Sequence, residues 1–298
     1  MTIQEARYHL LHQLKKIYDS REAGNITDWV LENITGRTRM ERLIHKDLIM
    51  DTEQQSRLDS ITHDLLSYKP IQYILNECWF FKRRFYVNEA VLIPRPETEE
   101  LVEWIIDDYR KHNPATLPQL LDIGTGSGNI AITLSLELQL HITAIDHSVA
   151  ALEVAKKNAA ALGGKVNFVQ CDFTDPGNWP SLPAPDIIVS NPPYIPLQEQ
   201  EQMAGNVLKF EPHSALFVPD DDPLLFYRLI AEFAAAYLRP GGKIYVEISE
   251  YRGESTESLF RHYGYETELK KDMQGRHRLI KAWKKVGENL QAPELLGC

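Results

Sequence analysis

Asn191-Pro192-Pro193-Tyr194 places an amide, two φ-fixing rings and a phenol directly after the apolar run DIIVS. Two prolines stiffen a turn and donate no backbone N–H. Such a turn can direct the Pro192 carbonyl oxygen into a cleft beside the side-chain oxygen of Asn191, offering two acceptors to one NH₂ group. An amide nitrogen is a poor nucleophile because its lone pair is delocalised into the carbonyl. Binding both N–H groups out of the amide plane helps restore that pair, and Tyr194 can stack on the planar group. The same four residues also read as a proline-stiffened loop with an Asn cap.

A second constellation precedes it. The run LLDIG leads into Gly124-Thr125-Gly126-Ser127-Gly128 and then into a helical pattern, so glycines stand where a chain turns sharply and lets a ligand approach its backbone. Asp146 ends the next apolar run, ITAID, eighteen positions after Gly128. In doubly wound folds a carboxylate there accepts from ribose hydroxyls; the alternative is an N-cap for the helix beginning at His147 and Ser148. Asp172 and Phe173 close a third run, VNFVQCD, and would put a carboxylate and a ring beside an adenine, or else simply make a turn. Spacing alone leaves a nicotinamide cofactor and S-adenosylmethionine both open, because each presents adenosine to the same edge. A hydride carrier gives Asn191 to Tyr194 nothing to do. Methyl transfer from a sulfonium does: it is an in-line displacement with a neutral leaving group, for which positioning and polarisation supply much of the catalysis without a metal. No dedicated general base is evident.

The elements that carry these residues follow from periodicity. Ile3, Leu10, Leu11, Leu14, Ile17 and Tyr18 recur at three and four, predicting a helix over 3–18. A second helix through Ile26, Trp29, Val30 and Ile34 closes at Gly36, and a third through Leu58, Ile61, Leu65 and Leu66 ends before Pro70. From Ile71 to Ile93 aromatic and β-branched residues predict a hairpin linker. From about Leu120, short apolar strands alternate with helices at 128–138 and 148–161, the pattern of a parallel sheet covered by helices. A helix over 222–238, the strand KIYVEIS, a helix near 253–263 and a strand pair at 265–283 complete it. The expected division is a 1–70 helical domain, a 71–95 hairpin linker, a 96–283 cofactor-binding catalytic domain and a 284–298 peripheral, dispensable tail.

Composition narrows the function class. In 298 residues, 43% hydrophobic and 25% charged, there is room for one large domain and a smaller one. A net charge of −10 disfavours a nucleic-acid partner, and Lys82-Arg83-Arg84 is too short a run to reverse that. Cys78, Cys171 and Cys298 form no CxxC pair, so neither a disulfide framework nor a zinc site is expected, and a cytoplasmic location fits. Neither Cys78 nor Cys171 has the His partner of a nucleophile. The first fourteen residues are broken by Gln4, Glu5, Arg7 and His9, unlike a signal peptide, and no run approaches the roughly 20 apolar residues of a membrane span.

Taken together, PIQYI at 70–74, Phe80 and Phe81, LIPRPETEELVEW at 92–104, DIGTGSGNIAI, AIDHS, SNPPYIP and FEPHSAL at 210–216 resemble the release-factor glutamine methyltransferase family, PrmC/HemK. The likeness runs from about residue 10 to 283. It implies an α/β fold: a doubly wound seven-stranded class I methyltransferase sheet, with a small N-terminal helical domain joined by a β-hairpin, residues 1–70 being the substrate-binding domain that, with the hairpin, helps hold the protein substrate. It implies S-adenosylmethionine as methyl donor, no metal, and a peptide chain release factor as protein substrate, methylated on the glutamine amide of a Gly-Gly-Gln loop. Carried over by position, Gly124, Thr125, Gly126, Ser127, Gly128, Asp146, Asp172 and Phe173 would hold the cofactor, with Asn191 bordering it. Asn191, Pro192, Pro193 and Tyr194 would hold the glutamine, with Asn191, Pro192 and Tyr194 catalytic. The resemblance also places Arg95, Pro96 and Glu97 near the cofactor, where they equally serve to start a helix. Phe80 and Phe81 would cover the acceptor or pack between domains. Asn76 stands where the family often has glycine. A monomer is expected, since each site is complete in one chain. The main alternative is an adenine amine methyltransferase acting on RNA or DNA, which would use the same Asn191 and Pro192 acceptors. An inactive adaptor leaves the intact glycines and NPPY unexplained.

Overall fold

A computed structural model describes residues 1–112, 117–203 and 205–284. Two compact units appear: Met1–Glu77 with the short helix Gly205–Phe210, and Cys78–Met203 with the described residues from Glu211 on.

The first unit is helical: α1 (Ile3–Leu14), α2 (Ser20–Thr35), α3 (Arg39–Ile44), α4 (Thr52–Leu66) and α5 (Ile71–Leu75). Each long helix starts on a side-chain cap. Thr2 and Asp51 form capping boxes with Glu5 and Gln54, and Asp19 accepts from Arg21 and Glu22. Leu10, Leu14, Val30, Leu31, Leu58 and Leu65 are fully buried where α1, α2 and α4 meet, each worth roughly 1.5–3 kcal/mol. The expected helix to Tyr18 stops at Leu14; a turn over 15–18 follows, and Asp19, extended (φ −63°, ψ 163°), caps α2. Tyr18 still packs on the core from the connection. Gly36 closes α2 at φ +63°, as expected. The expected hairpin over 71–93 is shorter: Ile71–Leu75 is a turn of helix behind Pro70, closed by Asn76 at φ +55°. The run misleads because Ile71, Tyr73 and Leu75 are all buried, an alternation that reads as a strand.

In the second unit β1 (Cys78–Phe80) and β2 (Arg83–Phe85) form the hairpin, turning through Phe81 and Lys82 at φ +48° and +62°. Helix α6 (Pro96–His112) follows. Then come β3 (Gln119–Ile123), α7 (Asn129–Glu137), β4 (His141–Asp146), α8 (Val149–Leu162), β5 (Asn167–Gln170), β6 (Ile187–Ser190) and β7 (Ile195–Pro196). After α9 (Gly205–Phe210), counted with the first unit, come β8 (Phe217–Val218), α10 (Leu225–Tyr237), β9 (Lys243–Glu247), α11 (Gly253–His262), β10 (Glu266–Lys271) and β11 (His277–Trp283).

Seven strands form one sheet in the order β10-β11-β9-β6-β3-β4-β5, with β11 antiparallel to both its neighbours and the other pairs parallel. Both faces are covered. Leu121, Ile123, Ile188, Ile244 and Val246 pack beneath Ile230, Phe233 and Phe260 of α10 and α11. On the other face, Leu120, Ala144, Val189 and Tyr245 meet Leu101, Ile105 and Leu134 of α6 and α7. Because side chains alternate along a strand, Asp122 and Glu247 fall on the α6–α7 face. The chain winds outward from β3 through β4 to β5, then returns to β6 on the other side of β3. The carboxyl ends of these strands at such a reversal are where open α/β sheets bind ligands.

Candidate active site

At the end of β3 the chain turns through Gly124, Gly126 and Gly128, all with positive φ (+74°, +53° and +79°). Gly124 and Thr125 both donate to the Ile145 carbonyl at 2.9 Å. Added Cβ atoms on Gly124 and Gly126 would meet nothing within 4 Å, and both line a cleft of about 410 Å³. That volume suits a nucleotide-sized ligand. Gly128 differs: its Cβ would lie 2.7 Å from Ile132 Cδ1 and 3.2 Å from Ala155 Cβ. Its role is close helix packing, and it does not line the cleft.

Asp146 ends β4, as expected, and lines the cleft. Its Oδ2 accepts the Gly126 N–H at 2.9 Å and its Oδ1 the Ser148 N–H at 2.9 Å. The N-cap of α8 is Ser148, so Asp146 braces the turn before the helix and does not cap it. Beneath the loop Asp122, fully buried, accepts from the Thr125 hydroxyl at 2.7 Å. Burial pushes its carboxyl up to about 7, against that hydrogen bond. Asn158, also buried, donates to the carbonyls of Tyr86 and Ser127, both at 2.9 Å, and so ties the glycine loop to the chain after the hairpin.

Asp172 and Phe173 lie just past β5, which stops at Gln170; the Cys171 N–H makes the last bond to β4, donating to the Asp146 carbonyl at 3.0 Å. Both line the cleft. Asp172 Oδ1 accepts from the hydroxyl and N–H of Thr174, at 2.6 and 2.9 Å, and these bonds hold its carboxyl below the usual range. Phe173 is buried against Trp179, 5.5 Å between ring centres, and Phe233 at the same separation. Cys171 shares the cleft, but burial raises its thiol.

Asn191, Pro192 and Pro193 emerge from β6 into the same cleft. Ile195 pairs with Phe217 across β7 and β8, fastening this turn to the FEPHSAL segment. Tyr194 is absent from the lining; its ring packs against the α10 core. Burial, with Glu247 nearby, pushes its phenol above the usual range. Two segments singled out in the sequence meet here: Arg95, in the lining, pairs with buried Glu211 at 2.6 Å, and Glu211 also accepts the Ile93 N–H at 3.3 Å. Pro96 is the first residue of α6, the position it was expected to hold. Glu97 does not line the cleft, and neither do Phe80 and Phe81. Phe80 is fully buried edge-on to Phe85, and the Phe81 N–H donates to Glu99 at 2.9 Å.

Sequence patterns did not single out Asp122, Thr98, Glu211, Glu247 or Asn158. Asp122 stood inside the quoted LLDIG and Glu211 inside FEPHSAL, but a lone carboxylate in an apolar run carries no periodicity to mark it. Among the described residues no three His, Cys, Asp or Glu side chains cluster as a metal site, and no helix is long and apolar enough to cross a membrane.

A seven-stranded sheet of this order, with its cleft at the carboxyl ends of β3, β4 and β6, defines a class I methyltransferase fold. A Methyltransferase small domain model matches residues 110–213 and a PrmC N-terminal domain model matches residues 5–75. The release factor glutamine methyltransferase of Flavobacterium psychrophilum is 42% identical over 285 residues, 94% of this chain and 99% of that protein. The enzyme of that name from Bacteroides thetaiotaomicron is 40% identical over 92% of this chain and 97% of its own length. A solved methyltransferase from Pyrococcus furiosus aligns with a TM-score of 0.49 at 18% identity, over 79% of this chain and 100% of that one. The chain belongs to the release factor glutamine methyltransferase family.

Proposed function

We propose that this protein methylates the side-chain amide of the glutamine in the Gly-Gly-Gln loop of peptide chain release factors, with S-adenosylmethionine as donor. One observation carries the proposal: Asn191, Pro192 and Pro193 line the same cleft as Gly124, Gly126, Asp146 and Phe173. An amide-holding turn and an adenosine-holding edge thus share one space. The open positions where Cβ atoms of Gly124 and Gly126 would stand, and the carboxylate of Asp146, fit the cofactor.

Bound S-adenosylmethionine supplies an electrophilic methyl group on a sulfonium, transferred in line with loss of a neutral thioether. The chain does the rest by placement. Gly124 to Ser127 would present backbone to the ligand, Asp146 would offer carboxylate oxygen to ribose hydroxyls, and Asp172 and Phe173 would border the adenine. Asn191 and the Pro192 carbonyl accept the two N–H groups of the glutamine, and Tyr194 buttresses their turn from the core side. The glutamine nitrogen gives up one of these protons to solvent as its bond to the methyl carbon forms and the carbon–sulfur bond breaks. The helical unit of residues 1–70 contributes to holding the release factor, and 96–283 carries cofactor and chemistry. The proposed tail, 284–298, lies outside the described residues from 285 on.

The test is transfer of labelled methyl from S-adenosylmethionine to purified bacterial release factor, beside a copy with the Gly-Gly-Gln glutamine replaced, and beside total RNA and DNA. Labelling of the intact factor alone is expected. Labelling of nucleic acid alone would give the site to the adenine amine alternative, against the net charge of −10.

A further inference from the structure

The glutamine-holding assignment requires one particular end of the Asn191 amide to face the acceptor. An Asn side chain ends in an acceptor and a donor of nearly equal shape. Only the oxygen can receive a substrate N–H; the NH₂ group in its place would repel it. Something in the fold must therefore choose between two orientations.

The Asn191 NH₂ donates to the Thr98 hydroxyl oxygen at 3.1 Å, and that hydroxyl donates to Glu247 Oε2 at 2.6 Å. Thr98 and Glu247 are both buried, at 2% exposure each. A hydroxyl has one proton. With the carboxylate taking it, the Thr98 oxygen can only accept from its other neighbour, which must then present NH₂ and keep its oxygen for the cleft. Topology brings the three together: Ser190 of β6 pairs with Val246 of β9, so Asn191, just past β6, and Glu247, the last residue of β9, reach one edge together. Thr98 lies in the first turn of α6, over the face that Glu247 shares with Tyr245.

We propose that Thr98 and Glu247 are positioning residues for methyl transfer, a relay that fixes the Asn191 amide with its oxygen toward the substrate amide. The proposal rests on the glutamine reading of the cleft and adds to it the device that orients the acceptor. Neither residue lies on the motif that binds the substrate; Thr98 borders the cleft, whereas Glu247 does not line it.

Proton occupancy of Glu247 sets the direction of the relay. A protonated carboxyl can donate to the Thr98 oxygen, freeing the Thr98 proton for the Asn191 oxygen and turning the NH₂ toward the substrate. Burial pushes Glu247 up to about 7, opposed by its hydrogen bond from Thr98. The groups facing it are Arg95, Glu97 and Thr98 at the start of α6, Arg278 of β11, Tyr194 after β6, and Tyr227 of α10, whose hydroxyl donates to the Glu247 carbonyl at 3.0 Å. Activity is therefore expected to fall as pH drops through about 7.

The experiment compares wild type, Thr98→Val, Thr98→Ser and Glu247→Gln in methyl transfer to intact release factor across pH, with S-adenosylmethionine affinity measured by calorimetry. Thr98→Val keeps the shape and removes the hydroxyl, so kcat should fall about tenfold or more with cofactor affinity within about threefold. Thr98→Ser should return kcat to within about threefold of wild type. Glu247→Gln should abolish the acid limb of the pH profile. Wild-type kcat in Thr98→Val, equal losses in the Val and Ser variants, or parallel loss of cofactor binding would each overturn the relay while leaving the glutamine reading intact. Absence of transfer by wild type itself would overturn both.

Discussion

Asp146 Oδ2 accepts the backbone N–H of Gly126 at 2.9 Å, so the carboxylate that ends β4 braces the glycine loop from which the cofactor would be held. Its other oxygen takes the Ser148 N–H. A carboxylate offers about four lone-pair sites, so ribose hydroxyls can add to these bonds. Asp146→Ala is therefore expected to weaken S-adenosylmethionine binding about tenfold or more, since charge-assisted bonds are worth roughly 1.5–3 kcal/mol each. Asp172→Ala should cost less, because Asp172 Oδ1 already serves Thr174. Calorimetric titration of both variants checks this; equal losses would show that Asp146 has no privileged role.

Gly128 and Gly124 share a positive φ but not an environment. At Gly128 a methyl group would press on Ile132 and Ala155 as well as strain the backbone, so Gly128→Ala should lower unfolding free energy by roughly 1–3 kcal/mol. At Gly124 the methyl group has open space, so Gly124→Ala should cost less stability and proportionally more cofactor affinity. Denaturant unfolding of the two variants, with cofactor titration, separates packing from cradle. A Gly128 variant as stable as wild type would contradict the packing role.

What could be read in the sequence followed how local the cause was. Strands β3, β4 and β6, the glycine loop and the Asn-Pro-Pro turn all announce themselves within a few residues, through alternation, glycine and proline. Helix α5 did not, since Ile71 and Leu75 pack into the core formed with α2 and α4 and Tyr73 is buried too, an alternation that mimics a strand. Gly128 reads in sequence like Gly124 and Gly126, since nothing local separates a glycine that borders a cleft from one whose Cβ would press on Ile132. Thr98, Glu211 and Glu247 escaped for the same reason: their partners lie 93 to 149 positions away, joined only when α6, β6 and β9 assemble. Tyr194 shows the converse, a motif residue whose ring the fold turns toward the core.

Asn191→Ala is expected to remove methyl transfer while S-adenosylmethionine binding stays within about tenfold, one buried acceptor being worth roughly 1–3 kcal/mol. Measured kcat on intact release factor should drop, with KM for the cofactor little changed. Complete loss of cofactor binding would instead make Asn191 part of the cofactor site and leave the acceptor unassigned.

Asp122 supplies a stability test whose sign runs opposite to that of an ion-paired carboxylate. Its carboxyl sits near 7 in the folded protein, raised from an ordinary 3.8 by burial. Between those values the native state holds a proton that the unfolded chain has released, so unfolding free energy falls as pH rises from about 4 to 7 and levels off above. Glu247, also raised to about 7, adds a slope of the same sign. Asp122→Asn keeps an oxygen for the Thr125 hydroxyl but removes the titration, so the variant should gain stability relative to wild type as pH is raised from 5 to 8. The offset from the lost or altered hydrogen bond does not change with pH, whereas the titration difference does. Equilibrium unfolding of both proteins at several pH values reads that difference directly, and parallel curves would mean that Asp122 stays ionised beneath the glycine loop throughout.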